Sequence, residues 1–97
     1  MMIIAEFSII PIGTRTTSVS KYVKRAIDVL KRHNVKITTG AMGTIIEAES
    51  LDDIFMAVKS AHEAMFELGI NRVVTELKMD DRRDKESTAE SKLKAVN

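Results

Sequence analysis

Residues 2–11 are apolar and β-branched, interrupted only by Glu6 and Ser8. Ile3, Ala5, Phe7 and Ile9 share one parity; Ile4, Glu6, Ser8 and Ile10 share the other. A period of two with one apolar and one mixed face predicts a strand, which Pro11 and Gly13 end. From residue 18 the period lengthens. Val19, Val23, Ala26, Ile27 and Leu30 recur at spacings of three and four, with basic and acidic residues between them. That is an amphipathic helix over 18–33, with Ser18 as its N-cap and Asn34 just past its end.

Alternation returns at 35–40 and again at 44–49, around the link Gly40-Ala41-Met42-Gly43. Two short strands joined by such a link read as a hairpin. Over 51–68 the apolar stripe Ile54, Ala57, Val58, Ala61, Met65 and Leu68 predicts a second helix. Ser50 and Asp53 approximate a capping box before it, and Gly69 sits where a C-terminal glycine belongs. Residues 72–79 form a fourth strand, with Val73, Thr75, Leu77 and Met79 on one face. The charged run Asp80 to Lys85 follows. Ser87, Glu90, Leu93 and Val96 then make a short terminal helix plausible, although it is marginal in isolation.

The order β-α-β-β-α-β predicts an α+β chain, a ferredoxin-like sandwich with an antiparallel four-stranded sheet. Right-handed crossovers put both helices on one sheet face. Residues 1–85 make the domain and residues 86–97 a C-terminal tail or short helix. The other face then has no cover from its own chain. It carries Ile4, Glu6, Ser8, Ile10, Ile45, Glu47, Glu49, Val74, Glu76 and Lys78. So many apolar members on one face predict an interface, met by self-association about a two-fold axis.

Composition narrows the function classes. With 15 basic and 14 acidic residues the net charge is +1, which gives no electrostatic reason for nucleic acid or an anionic membrane as partner. Cysteine is absent, so disulfides, thiolate metal sites and thiol catalysis are excluded. Glu6 interrupts the N-terminal apolar run with no basic segment before it, unlike a signal peptide. No apolar stretch approaches the roughly 18 residues of a membrane span. The expectation is a soluble, cytoplasmic protein.

Candidate chemistry is sparse. Glu6, Glu47, Glu49 and Glu76 share the mixed sheet face. A partly dry cluster of carboxylates would attract a cation or an amine, while the alternative has them facing water or pairing with Lys78. Gly40-Ala41-Met42-Gly43-Thr44 is a small-residue loop that a ligand can approach closely, or a turn with nothing bound. It is not a phosphate loop, because no Lys follows the second Gly. Asp80-Asp81-Arg82-Arg83-Asp84 reads as a solvated ion-pair run, since interleaved arginines oppose a metal site. His33 and His62 show no metal-ligand spacing. No catalytic residue, metal site or cofactor is indicated, and the stacking aromatics of an RNA-binding sheet are missing.

The chain from residue 3 to 85 resembles the thiamine-binding protein family of archaea, bacteria and yeast. The matching pieces are Ser8-Ile9-Ile10-Pro11-Ile12-Gly13-Thr14, Ser18 to Val23, Met42 to Glu49, His62, Arg72 to Thr75, and Lys78 to Lys85. The resemblance implies a ferredoxin-like subunit forming a dimer or tetramer through its sheets. A ligand pocket near the subunit interface would take thiamine or its hydroxymethylpyrimidine part. Carried over residue by residue, the ligand-binding candidates are Ser8, Met42, Gly43, Thr44 and Glu47, with Thr39 nearby. Their hydroxyls and carboxylate match an aminopyrimidine's donors and acceptors, and Met42 suits a flat ring. Ala48 departs from the glycine many members carry there, and its methyl would narrow the pocket. Small-molecule binding without catalysis is therefore the expectation. The alternatives are an oligomeric regulatory or assembly module without a small ligand, and an enzyme acting on a small metabolite with Glu47 as general base. A base needs an oriented partner, and none is visible in the sequence.

Overall fold

The long first strand is the spine of the fold. In the computed structural model, which describes residues 1–97, β1 (Ile3–Ile12) lies between β3 (Thr44–Ala48) and β4 (Arg72–Asp80). β2 (Lys36–Thr39) flanks β3 at the sheet edge, and every pairing is antiparallel. Helices α1 (Ser20–Leu30) and α2 (Leu51–Phe66) make the two crossovers. Both pack on the face carrying Ile3, Ala5, Phe7 and Ile9, all buried in one core with Ile46 and Ala48 of β3. This is the α+β, ferredoxin-like arrangement that the periodicity predicts. No helix is long and apolar enough to cross a membrane.

Small residues line the buried side of α2. Ala57, Ala61 and Ala64 are buried along one line of the helix between Ile54 and Met65. The Ser50 hydroxyl accepts from the Asp53 amide at 3.1 Å, and Asp52 and Asp53 place negative charge in the first turn. Gly69, at φ +88, leads the chain out of the helix.

Helix α1 departs from the sequence reading in two ways. Its N-cap is Val19, without a side-chain cap, and Ser18 stands one residue before it. Its buried residues are Tyr22, Ala26, Val29 and Leu30, so the helix is rolled relative to the predicted stripe. Val19 is exposed, and Val23 and Ile27 are half-buried. The Tyr22 ring, the bulkiest group on the helix, takes the inward position.

The tail folds back as α3 (Ala89–Val96). Its N-cap is Thr88. The Thr88 hydroxyl accepts from the Ser91 amide at 3.0 Å, and the Thr88 amide donates to the Ser91 hydroxyl at 2.9 Å. The Ala89 amide donates to Glu47 Oε2 at 3.0 Å, and Lys92 pairs with Asp80. Glu47, Ile4 and Asp80 all lie on the sheet face away from α1 and α2, as their register shows. Ile4 and Glu47 are buried there. One end of the face expected to be bare is thus covered by the chain's own tail; the other end, at Ile10 and Val74, is exposed.

Candidate functional site

The site begins where β3 stops short. β1 pairs with β3 only from Ile3 to Phe7, but with β4 as far as Ile12. From Ser8 onward, one edge of β1 has no neighbouring strand. The hairpin is the local cause. Gly40 donates its amide to the Gly43 carbonyl at 2.9 Å, turning the chain over Ala41 and Met42. A Cβ at Gly40 would stand 2.9 Å from that carbonyl oxygen, so only glycine fits the turn without a shift. A cavity of about 300 Å³ occupies the resulting notch. Its walls are the hairpin from Gly40 to Thr44, the β1 segment from Phe7 to Ile10, α1 through Val23, Ala26 and Ile27, and Glu76 of β4.

The backbone at this edge has a definite orientation. Phe7 O lies 3.5 Å from the position of a Gly43 Cβ, so the Phe7 carbonyl points toward the hairpin. In an antiparallel ladder a residue turns its N–H and C=O toward the same neighbour, and alternate residues share that direction. Ile9 therefore turns both groups into the notch, with no strand to receive them. Pro11 comes next on the same parity, where a missing N–H deprives no ladder of a bond.

The side chains around the notch are mixed. Thr44 is buried on the helix side of the sheet. Ser8 is half-buried on the opposite side, where Glu76 is its partner in register. Val23 and Ile27, one helical turn apart, supply the apolar wall with Met42 at the rim. The groups whose titration is clearly displaced lie elsewhere, in the run after β4. The hydrogen bond from Arg83 holds the Asp81 carboxyl below the usual carboxylate range, and Arg82 does the same for Asp84. Both pairs are two residues apart on an exposed segment, as an ion-pair run requires.

The sequence candidates divide. Ser8, Met42, Gly43 and Thr44 line the cavity together. Thr39 is the strand partner of Thr44 but is exposed and outside the cavity wall. Glu47 is also outside it: the side chain is 3% exposed and holds the amide of Ala89. Ala48 packs in the core, so its methyl does not narrow this cavity. His62 is half-buried, with Nδ1 2.7 Å from Thr75 Oγ1 across the α2–β4 contact. No group of three His, Asp or Glu side chains converges as a metal site would need. Sequence reasoning passed over Glu76, Val23, Ile27 and the Ile9 backbone as wall elements. Val23 and Ile27 were visible as apolar helix positions. Glu76 depends on the Ser8–Glu76 register, which neither strand's pattern encodes.

Comparison with known proteins places the chain. It is 48% identical to the UPF0045 protein of Methanothermobacter thermautotrophicus over 95 residues, covering 98% of this chain and 96% of the relative. It is 45% identical to the UPF0045 protein YqgV of Bacillus subtilis, covering 99% and 95%. The crystal structure of hypothetical protein MJ1052 from Methanocaldococcus jannaschii superposes with a TM-score of 0.89 at 50% identity, covering 98% and 95%. A Thermotoga maritima structure shares the fold at TM-score 0.80 and 21% identity over the full length of both chains. The profile of the thiamine-binding protein family matches residues 5–97. The chain belongs to the thiamine-binding protein family.

Proposed function

We propose that the notch binds thiamine or a hydroxymethylpyrimidine-type precursor, without transforming it. The carrying observation is a small cavity walled by Val23, Ile27 and Met42 that also presents the Ser8 and Thr44 hydroxyls and the Glu76 carboxylate. Its volume is at the lower end of ligand pockets, suited to one or two small rings. A flat aminopyrimidine would lie against the apolar wall, with the Ser8 and Thr44 hydroxyls beside its substituents. Glu76 would face the cationic thiazolium ring. Family membership supports the ligand class, and the Thermotoga maritima structure carries a provisional thiamine biosynthesis/salvage description. Binding without chemistry is favoured because Glu76, the one carboxylate on the cavity wall, makes no side-chain hydrogen bond that would orient it as a base. The His62 bond goes to Thr75, and Glu47 is engaged by Ala89.

Calorimetric titration with thiamine and with hydroxymethylpyrimidine tests the reading. Both should bind, and Glu76→Gln should weaken thiamine alone, by about two- to five-fold for an ion pair open to solvent. Absence of heat with either compound at millimolar concentration would end the proposal.

The cavity also opens beside an apolar part of the sheet. Ile10 and Val74 are partners in register, 47% and 37% exposed. We propose that a second copy packs there, so that the ligand sits at a subunit interface of a homo-oligomer.

A further inference from the structure

We infer that the backbone of Ile9 reads the ligand, by taking a ring that carries an amine next to a ring nitrogen. This rests on the binding reading above and specifies what that site recognises.

The Ile9 backbone has hydrogen-bonding capacity that the chain leaves unused. Ile9 turns its N–H and C=O toward the notch, where β3 has already ended. Neither group appears in a turn, loop or side-chain hydrogen bond, and on this edge no strand partner remains. Backbone groups in so apolar a setting are costly to leave unmade, and an occupant that satisfies both gains accordingly.

The two groups form a donor and an acceptor side by side in the sheet plane, the pair that a residue of a neighbouring strand would meet. An aminopyrimidine edge offers the complement in the same plane. Its ring nitrogen accepts from the Ile9 N–H while its amine donates to the Ile9 C=O. Val23 and Ile27 then flank the ring from the helix side, and Ser8 and Thr44 are left for its substituents. A peptide strand could satisfy the same groups, but the hairpin turn at Gly40 to Gly43 closes one end of the notch. The volume of about 300 Å³ fits rings better than a strand. The geometry predicts selectivity carried by the main chain, which side-chain substitution around the site leaves in place.

The test uses the full chain, calorimetry, and two compounds: hydroxymethyl-aminopyrimidine and its analogue lacking the amine. The analogue should bind at least about ten-fold more weakly, the value of one lost hydrogen bond. Ile9→Pro deletes the N–H where no ladder uses it, as Pro11 already does, and should weaken the amine compound by about the same factor. Leu93→Lys, on the exposed side of α3 and outside the cavity wall, should bind within about three-fold of wild type. Equal binding of the two compounds to wild type would overturn the inference while leaving the pocket assignment standing. So would unchanged binding by a folded Ile9→Pro variant. If that variant fails to fold, the two-compound comparison decides alone. If neither compound nor thiamine binds, the pocket assignment itself fails and the inference falls with it.

Discussion

Gly40 and Gly43 close one turn, yet the space around them differs. A methyl at Gly40 would meet the Gly43 carbonyl oxygen at 2.9 Å, and that oxygen is held by the Gly40 amide itself. Backbone cannot move aside as a side chain can. Gly40→Ala should therefore lower stability by about 1–3 kcal/mol, read as a lower urea midpoint. At Gly43 the nearest atoms are Ser8 Oγ at 3.4 Å and Glu6 Cγ and Phe7 O at 3.5 Å, all at ordinary van der Waals distance. Gly43→Ala should cost under about 1 kcal/mol, while its methyl intrudes on the cavity wall and weakens ligand binding. A Gly40→Ala midpoint equal to that of Gly43→Ala would contradict this account of the turn.

Among the elements, α3 depends most on its contacts. At eight residues it is too short to persist in water by itself. What holds it is the Thr88–Ser91 capping box, the Lys92–Asp80 pair and the buried Glu47 carboxylate beside its first turn. A carboxylate at a helix N-terminus is also favoured by the helix dipole. Glu47→Ala should speed amide exchange across residues 89–96 and leave the β1–β4 ladder protected, as mass-spectrometric exchange would show. Glu47→Gln should retain most of the protection, since its amide oxygen still accepts from Ala89. Such a tie explains what could be read in advance and what could not. Strand and helix positions follow from local periodicity, and the two faces of β1 follow from parity alone. The grouping of Ser8 with Met42, Gly43 and Thr44 came instead from the family resemblance, since no periodicity joins a β1 position to the hairpin. The role of Glu47 rests on a bond to a residue 42 positions away, and the Glu76 wall rests on strand register. Neither leaves a periodic mark. The roll of α1 about Tyr22 is likewise a packing outcome, decided by which of several apolar residues fills the interior.

At the scale of the whole molecule, the chain is two layers and measures 45 × 29 × 18 Å along its principal axes. The tail shelters the Ile4–Glu47 end of the outer sheet face, and the Ile10–Val74 end is left to solvent. That end mixes apolar pairs with Glu6, Glu76 and Lys78, so a partner covering it must also meet these charges. A two-fold related copy brings the same set of both signs, which permits mutual pairing. Wild type should therefore run above the monomer mass in light scattering at micromolar concentration. Ile10→Lys, by placing a charge in the apolar part of the contact, should shift it toward monomer. Leu93→Lys, on the exposed side of α3, should leave the mass unchanged, which separates a specific contact from general stickiness. Because Ile10 also borders the cavity, ligand titration of the dissociated variant needs Val74→Lys beside it, as Val74 is outside the cavity wall. Loss of mass and of ligand affinity together in Val74→Lys would mean that the second copy completes the site. Loss of mass alone would mean that one chain's notch suffices, and a monomeric wild type would remove the interface from the account.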